Sequence, residues 1–321
     1  MCAFAIVYKK VFFMGIENVI EKFGISAREY VSLERGHINL TFLVTSQTGE
    51  QYVLQMINPQ VFNSPEAVML NISEIESAFE HEAKLKVPNF LRCDGKNYAE
   101  YNGDIWRMYV YTPVVESVEK CYRAGFSHGR FINVMSRNGV NLETVLPFFH
   151  NYERYVEKLR AVCHDKAVTE RFSDMGKRLA EVFEGVPKRN IHGDAKADNI
   201  IIGEPCTVID LDTAMHGYAA IDYGDMIRSA DMSDIDRLTQ GFAEGLDGLL
   251  TEREVSTLYY GVLWVTAELA ARYYTDVYSD IRYFVGKSRE QCRERAESLI
   301  SQLDRFEGMK REFAEMTGRY F

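Results

Sequence analysis

Asp194, Asn199 and Asp210 are the residues of this chain whose types and spacing best fit a single reaction. They stand in Ile191-His192-Gly193-Asp194-Ala195-Lys196-Ala197-Asp198-Asn199 and in Val208-Ile209-Asp210-Leu211-Asp212. The order suits phosphoryl transfer: one carboxylate orients and deprotonates an attacking hydroxyl, while an amide and a second carboxylate hold the magnesium that neutralises a nucleotide's phosphates. Asp194 is therefore the expected base, and Asn199 and Asp210 are the expected metal ligands. Between them, Ile200-Ile201-Ile202 and Thr207-Val208-Ile209 are β-rich runs separated by Gly203-Glu204-Pro205, which predicts a hairpin with both ligands at its open end.

From these residues outward the chain resembles the aminoglycoside phosphotransferase and choline kinase superfamily, and within it the bacterial N-acetylhexosamine 1-kinase branch. The likeness is carried by Arg35-Gly36-His37-Ile38-Asn39, Leu54-Gln55-Met56-Ile57-Asn58, Pro147-Phe148-Phe149-His150-Asn151, the catalytic loop, Asp210-Leu211-Asp212-Thr213 and Arg272-Tyr273-Tyr274-Thr275-Asp276-Val277-Tyr278. It implies an α+β, two-lobed protein-kinase-like fold, with a small antiparallel-sheet N-lobe and a mainly helical C-lobe. It also implies ATP and Mg2+ as cofactors and a small-molecule hydroxyl as acceptor. Sugar-contact roles pass by the same likeness to Arg272 and Tyr283, with Asp212 as a further hydroxyl partner.

Length and charge agree with this reading. A chain of 321 residues with 46% apolar content can fill two cores, and the expected division is 1–113 and 114–321. A formal net charge of −10 argues against a general nucleic-acid or anionic-membrane binder, and no apolar run is long enough for a membrane span. Cys2, Cys93, Cys121, Cys163, Cys206 and Cys292 form no CxxC pair, so they read as reduced thiols of a cytoplasmic protein. Residues 1–14 are apolar but interrupted by Lys9 and Lys10, with no small-residue cleavage site after them. They read as a loose leader rather than a signal peptide. The sequence leaves the oligomeric state open.

The elements that must position the site can be sketched from periodicity. A helix is expected near Ile16–Phe23, then strands at 40–45 and 51–55 joined through Thr48-Gly49-Glu50. Before them, Gly36, His37 and Asn39 stand where a phosphate loop would offer backbone N–H groups and an amide. Gln55 occupies the strand position at which protein kinases carry a phosphate-binding Lys. It supplies hydrogen bonds without charge, and Lys196, two residues after Asp194, is the expected compensating cation. Ser64 and Pro65 open a helix whose apolar face is Val68, Ile72, Ile75 and Phe79. A strand at 105–111 leads to Val114, Val115 and Ser117, the expected adenine contacts. Helices are expected over 122–134, 152–162, 168–183, 234–250, 252–274 and 289–316.

Two omissions bear on the acceptor. Gly193 stands where protein kinases place an Arg that pairs with a phosphorylated segment. Asp222 follows Asp212 within ten residues, with no Ala-Pro-Glu segment, so no peptide-docking loop fits. The reading that follows is transfer of the ATP γ-phosphoryl group to a small acceptor, foremost the anomeric hydroxyl of an N-acetylhexosamine or related sugar. Two alternatives stand beside it. A cationic or other small acceptor (aminoglycoside, choline, homoserine, methylthioribose) would use Asp212, Glu268, Asp276 and Asp280 as an acidic pocket. An inactive, pseudokinase-like binding module would explain the missing strand lysine. One of Asp222 and Asp225 is expected to brace the catalytic-loop backbone.

Overall fold

The computed structural model describes residues 15–33, 38–284 and 286–321. The expected leader, residues 1–14, lies outside them, as do Gly36 and His37. Two compact units divide the chain, one of residues up to 77 with 87–113, the other of 78–86 with 114–321.

In the first unit, α1 (Ile16–Lys22) accompanies a five-stranded antiparallel sheet built from β1 (Ala27–Leu33), β2 (Leu40–Ser46), β3 (Gln51–Met56), β5 (Ala99–Tyr101) and β6 (Asp104–Val110), in the order β1-β2-β3-β6-β5. Its core joins Ile16, Val19 and Ile20 of the helix to Phe42, Leu54, Trp106 and Met108 of the central strands. These alternate residues of β2, β3 and β6 point to one face, which is why the strands are legible as strands. α2 (Pro65–Phe79) begins at the proline, whose fixed φ suits a first turn, and Val68, Ile72, Ile75 and Phe79 are its buried stripe.

The second unit is mainly helical. It contains α3 (Lys120–Arg137), α4 (Tyr152–Val162), α5 (Lys166–Phe183), α6 (Ala219–Arg228), α7 (Ile235–Leu246), α8 (Glu252–Val255), α9 (Leu258–Tyr278), α10 (Arg289–Gly308) and α11 (Lys310–Tyr320). Two small sheets carry the site: β4 (Leu85–Lys86) beside the hairpin of β8 (Ile200–Ile201) and β9 (Cys206–Val208), and β7 (Arg189–Ile191) paired with β10 (Met215–Gly217). Where one helix was expected over 252–274 there are two, because the Thr251–Glu254 capping box starts a four-residue turn before α9 begins at Leu258. The long C-terminal pattern likewise breaks at Met309, which ends α10 and opens α11. The helix expected over 234–250 stops at Leu246, where Asp247 turns left-handed.

α3 and α7 cross with no side chains between them. A Cβ on Gly125 or Gly129 would collide with the carbonyls of Leu238 and Phe242, and one on Gly241 or Gly245 with those of Tyr122 and Phe126. α3 is thereby fixed against the unit at backbone contact. No helix among the described residues is long and apolar enough to cross a membrane. Cys93, Cys121, Cys163, Cys206 and Cys292 are free thiols.

Candidate active site

β7 enters the site paired in register with β10, Ile191 opposite Met215. The chain then runs through His192–Lys196 and a 3-10 turn, Ala197–Asn199, into the β8–β9 hairpin. At the hairpin's open end the Ile209 N–H donates to the Asn199 carbonyl at 2.9 Å. Asp210 therefore follows directly on the residue paired with Asn199. Its backbone is left-handed, φ 60° and ψ 51°, a conformation that costs most L-residues about 1–2 kcal/mol and that Asp tolerates better than bulkier side chains.

Asp194, Lys196 and Asn199 are brought together. Lys196 Nζ lies 2.5 Å from Asp194 Oδ1, and Asn199 Nδ2 donates to Asp194 Oδ2 at 3.1 Å and to the Asp194 carbonyl at 2.7 Å. Burial alone would lower the Lys196 pKa, but the carboxylates of Asp194 and Asp225 outweigh it and hold the ammonium above its ordinary value. Asp225 is itself held low, against burial, by Arg228 and Lys196.

The backbone of the loop that bears these groups is fastened by five side chains. Asp222, fully buried on α6, accepts the His192 N–H at 2.7 Å and the Gly193 N–H at 2.8 Å. Thr213 Oγ1 donates to the His192 carbonyl at 2.9 Å. His128, on α3, meets the Lys196 carbonyl through Nε2 at 3.0 Å; burial, with His192 beside it, lowers its pKa to about 3, so it is neutral and donates from Nε2. His192 receives the Asp194 N–H on Nδ1 and must donate from Nε2 to the Ile209 carbonyl, tying the loop to the hairpin. His150, finally, meets the Gly193 carbonyl through Nε2 at 2.8 Å.

Gly193 has φ +80°, and a Cβ there would strike the Thr213 carbonyl. Gly193→Ala is therefore expected to cost more than about 1 kcal/mol from the left-handed backbone alone. By displacing Asp194 it should lower turnover roughly tenfold or more. Thermal melting and ADP release measure the two effects, and wild-type values in both would refute the account of the loop.

His150 links the loop to α9. Its Nδ1 stands 3.4 Å from Glu268 Oε1, an ion-pair distance rather than an aligned hydrogen bond. Burial would lower the His150 pKa, but Glu268 and the Gly193 carbonyl raise it. Glu268 Oε1 is also 3.9 Å from Arg272 Nη1, and Oε2 accepts from Trp264 Nε1 at 3.1 Å. The Arg272 guanidinium lies over the Tyr283 ring, 4.3 Å from its centroid. Asp276 accepts the backbone N–H groups of Tyr283 and Phe284 at 2.9 and 2.6 Å, so α9 fixes the segment carrying Tyr283. Asp212 is buried in the 3-10 turn Leu211–Thr213 that lies against His192 and Gly193.

A family model described as "Phosphotransferase enzyme family", APH, matches residues 29–255. The chain belongs to this family. Solved structures share its fold at low identity. An aminoglycoside phosphotransferase from Alicyclobacillus acidocaldarius is 10% identical, with a TM-score of 0.63 over 94% of this chain and 96% of that one. A microcompartment-associated aminopropanol kinase is 14% identical, with a TM-score of 0.65 over 93% and 97%. The amicoumacin kinase hAmiN, solved with AMP-PNP, Ca2+ and Ami, is 12% identical, with a TM-score of 0.62 over 97% and 96%. The fold is kinase-like, an antiparallel-sheet lobe and a helical lobe, and the protein is a phosphotransferase acting on a hydroxyl group.

The phosphotransferase positions its other expected residues with varying commitments. Asn39 Oδ1 accepts the Asn58 N–H at 3.1 Å. Gln55 has both ends of its amide engaged: Nε2 donates to Thr41 Oγ1 at 3.2 Å, and Oε1 accepts from Arg107 Nε at 3.0 Å. Thr41, Gln55 and Arg107 are register partners on β2, β3 and β6. Arg107, 2% exposed on the adjacent strand, thus brings a cation into contact with the expected lysine position. Val114 and Val115 are exposed, and the Val115 N–H, expected as a base contact, already donates to the Ile202 carbonyl at 3.2 Å. Ser117 Oγ accepts the Glu119 N–H at 3.2 Å, at the approach to α3.

Sequence reasoning missed Arg107, His128 and the pairing of His150 with Glu268. Arg107 alternates with the core residues Trp106 and Met108, so it reads as a residue of the opposite strand face, and its burial depends on packing that leaves no local signal. Nothing local marks His128 or Glu268, since their partners lie 68 and 118 residues away in the chain.

The donor set at Asn199 and Asp210 fits a divalent cation. No group of three or more His, Cys, Asp or Glu able to hold a metal occurs among the described residues; the expected pair brings one carboxylate and one amide oxygen from the residues that flank the β8–β9 hairpin. Such a sparse oxygen set suits Mg2+, which keeps water and substrate phosphates as its other ligands.

Proposed function

We propose that this phosphotransferase moves the γ-phosphoryl group of ATP to a hydroxyl of a small polyhydroxylated acceptor, foremost the anomeric hydroxyl of an N-acetylhexosamine or similar sugar. The observation that carries the reading is the single loop on which Asp194, Lys196 and Asn199 touch while Asp222 and the three histidines hold its backbone. Asp194 orients the acceptor hydroxyl and takes its proton. Lys196 carries the positive charge beside it, and Asn199 fixes the Asp194 carboxylate. Asn199 and Asp210 would hold Mg2+, which when bound with the nucleotide supplies charge neutralisation at its phosphates. Positioning by a pre-fastened loop supplies the remainder.

The acceptor preference rests on the commitments of the acidic residues. Of the four carboxylates that a cationic acceptor would need, Glu268 is engaged with His150, Arg272 and Trp264, Asp276 with two backbone N–H groups, and Asp280 with Arg289 at 2.7 Å. Arg272 places a buried cation among them, which repels an ammonium and donates well to sugar oxygens. An ADP-release screen over N-acetylglucosamine, N-acetylgalactosamine, galactose, choline and kanamycin tests this. Magnesium-dependent turnover of a sugar at least tenfold above that of the amines is the expected result. Preference for choline or kanamycin would overturn the sugar reading, and no ADP release with any acceptor would favour the inactive binding module.

A further inference from the structure

A cavity of about 800 Å3 opens beside Lys196, lined by the C-terminal end of α6 and one face of α10. Lys196, Arg228, Arg295 and Arg305 line it with the hydroxyls of Ser298 and Ser301, and no Asp or Glu is among its lining residues. In a chain of net charge −10, four cations around one hollow is a local reversal of the prevailing sign.

The two faces differ in how their charge is used. Lys196 and Arg228 are paired with Asp194 and Asp225, which leaves the surplus charge to the two arginines that α10 turns toward the cavity. Arg295 and Arg305 have no salt-bridge partner among the described residues, whereas Arg171, Arg189 and Arg289 all do. Exposed arginines tolerate water, so lack of a partner alone means little. Here, however, they share a stripe: residues 295, 298, 301, 302 and 305 fall within about 120° of arc on a helix advancing 100° per residue. Arg295 and Arg305 stand about 15 Å apart along the axis, one at each end, with hydroxyls and the Gln302 amide between. Gln302 Nε2 donates to the Arg228 carbonyl at 2.8 Å, fixing α10 against the end of α6. The hollow is thus braced by a side-chain bond across its floor.

Guanidinium groups flanking hydroxyl donors are the donor set that recognises phosphate oxygens, and a rigid fork loses little entropy in doing so. The volume is that of a small-molecule site. We propose that this cavity binds a phosphate group, free or carried by a small metabolite such as a sugar phosphate, through Arg295 and Arg305 on α10, with Lys196 at its inner end. The ligand then abuts the ammonium that contacts Asp194, so the site adjoins the catalytic loop, while neither Arg272 nor Asp212 is among its lining residues. The inference does not depend on which acceptor is phosphorylated.

Calorimetric titration of the whole protein in magnesium-free buffer tests it, with orthophosphate, glucose 6-phosphate and glucose as probes. Both phosphates are expected to bind saturably, whereas any glucose binding belongs to the acceptor site and should be the same in the wild type and in variants of the two arginines. Arg295→Ala combined with Arg305→Ala should weaken phosphate binding at least tenfold, while the Lys pair Arg295→Lys with Arg305→Lys retains part of it. Both arginines are exposed, and an unchanged melting temperature shows that the variants fold. Tighter binding of glucose 6-phosphate than of orthophosphate assigns the site to an ester, and equal binding assigns it to the free anion. Absence of binding by either phosphate, or equal affinity in the wild type and the double Ala variant, overturns the proposal; the latter outcome would place the anion at the catalytic loop itself.

Discussion

Asp194→Asn is expected to lower kcat by roughly 10²- to 10⁴-fold, the range that a positioned general base contributes. That corresponds to about 2.7–5.4 kcal/mol of barrier. The substitution keeps the size of the side chain and an oxygen that can still accept from Asn199 Nδ2, now 3.1 Å away, so the loop should survive. What is lost is the proton acceptor and the negative partner of Lys196 at 2.5 Å. Asn199, Asp210 and the hairpin beneath them are untouched, and the KM for nucleotide should therefore change little. A fall in kcat without a change in nucleotide KM is the signature of an interaction made in the transition state. Wild-type kcat in Asp194→Asn would sink the assignment of the base, and a large rise in nucleotide KM would instead make Asp194 part of the nucleotide site.

The second large effect is expected at a residue that never meets the substrate. Asp222→Ala removes the acceptor of two buried N–H groups, those of His192 and Gly193. Each orphaned donor costs about 1–3 kcal/mol, so a loss of roughly 3 kcal/mol or more and several degrees in melting temperature should follow. Asp222→Asn retains one acceptor oxygen and should lose less. Turnover should drop in both, because the loop backbone that carries Asp194 is released.

Asp222 also gives the protein a pH signature. Burial pushes its pKa up to about 6, although the two N–H groups and His192 pull the other way. The folded state therefore holds this proton more tightly than the unfolded chain, whose Asp titrates near 3.9. Its contribution to stability is full below about pH 4 and is lost as pH rises through about 6. Activity should run in the opposite direction, since only the carboxylate accepts both N–H groups, and kcat should rise through about pH 6. In Asp222→Ala the decline in stability over that window should vanish. Persistence of the same decline would assign it to another group.

The parts of the fold legible in the sequence were those with a clean period or a local signal. β2, β3 and β6 alternate, α2 is opened by a proline, and α4 and α5 each present one apolar stripe. α6 left no such trace, because all ten of its residues are buried and a helix covered on every side has no polar face to mark its period. β1, with a burial pattern that does not alternate, and the three-residue β7 and β10 were invisible for the same kind of reason. At the site, the short-range part was readable: Asp194, Lys196 and Asn199 lie within six residues and do meet. The long-range part was not. That His150 would reach both Gly193 and Glu268, or that Gln55 would be engaged by Arg107, depends on tertiary packing that no local spacing encodes. The stripe on α10 carries no local signal either, since its partners on α6 and the catalytic loop are remote in sequence.

The crossing of α3 and α7 has a consequence for how this enzyme can change. His128, which steadies the carbonyl of Lys196, rides on a helix whose distance from its neighbour is set by four absent methyl groups. Any residue larger than glycine at 125, 129, 241 or 245 would pry the pair open and carry the imidazole away from the loop. Selection for new acceptors is therefore free to rework the α9 side of the pocket, but it meets a hard stop at this seam, where the smallest possible mutation is already too big.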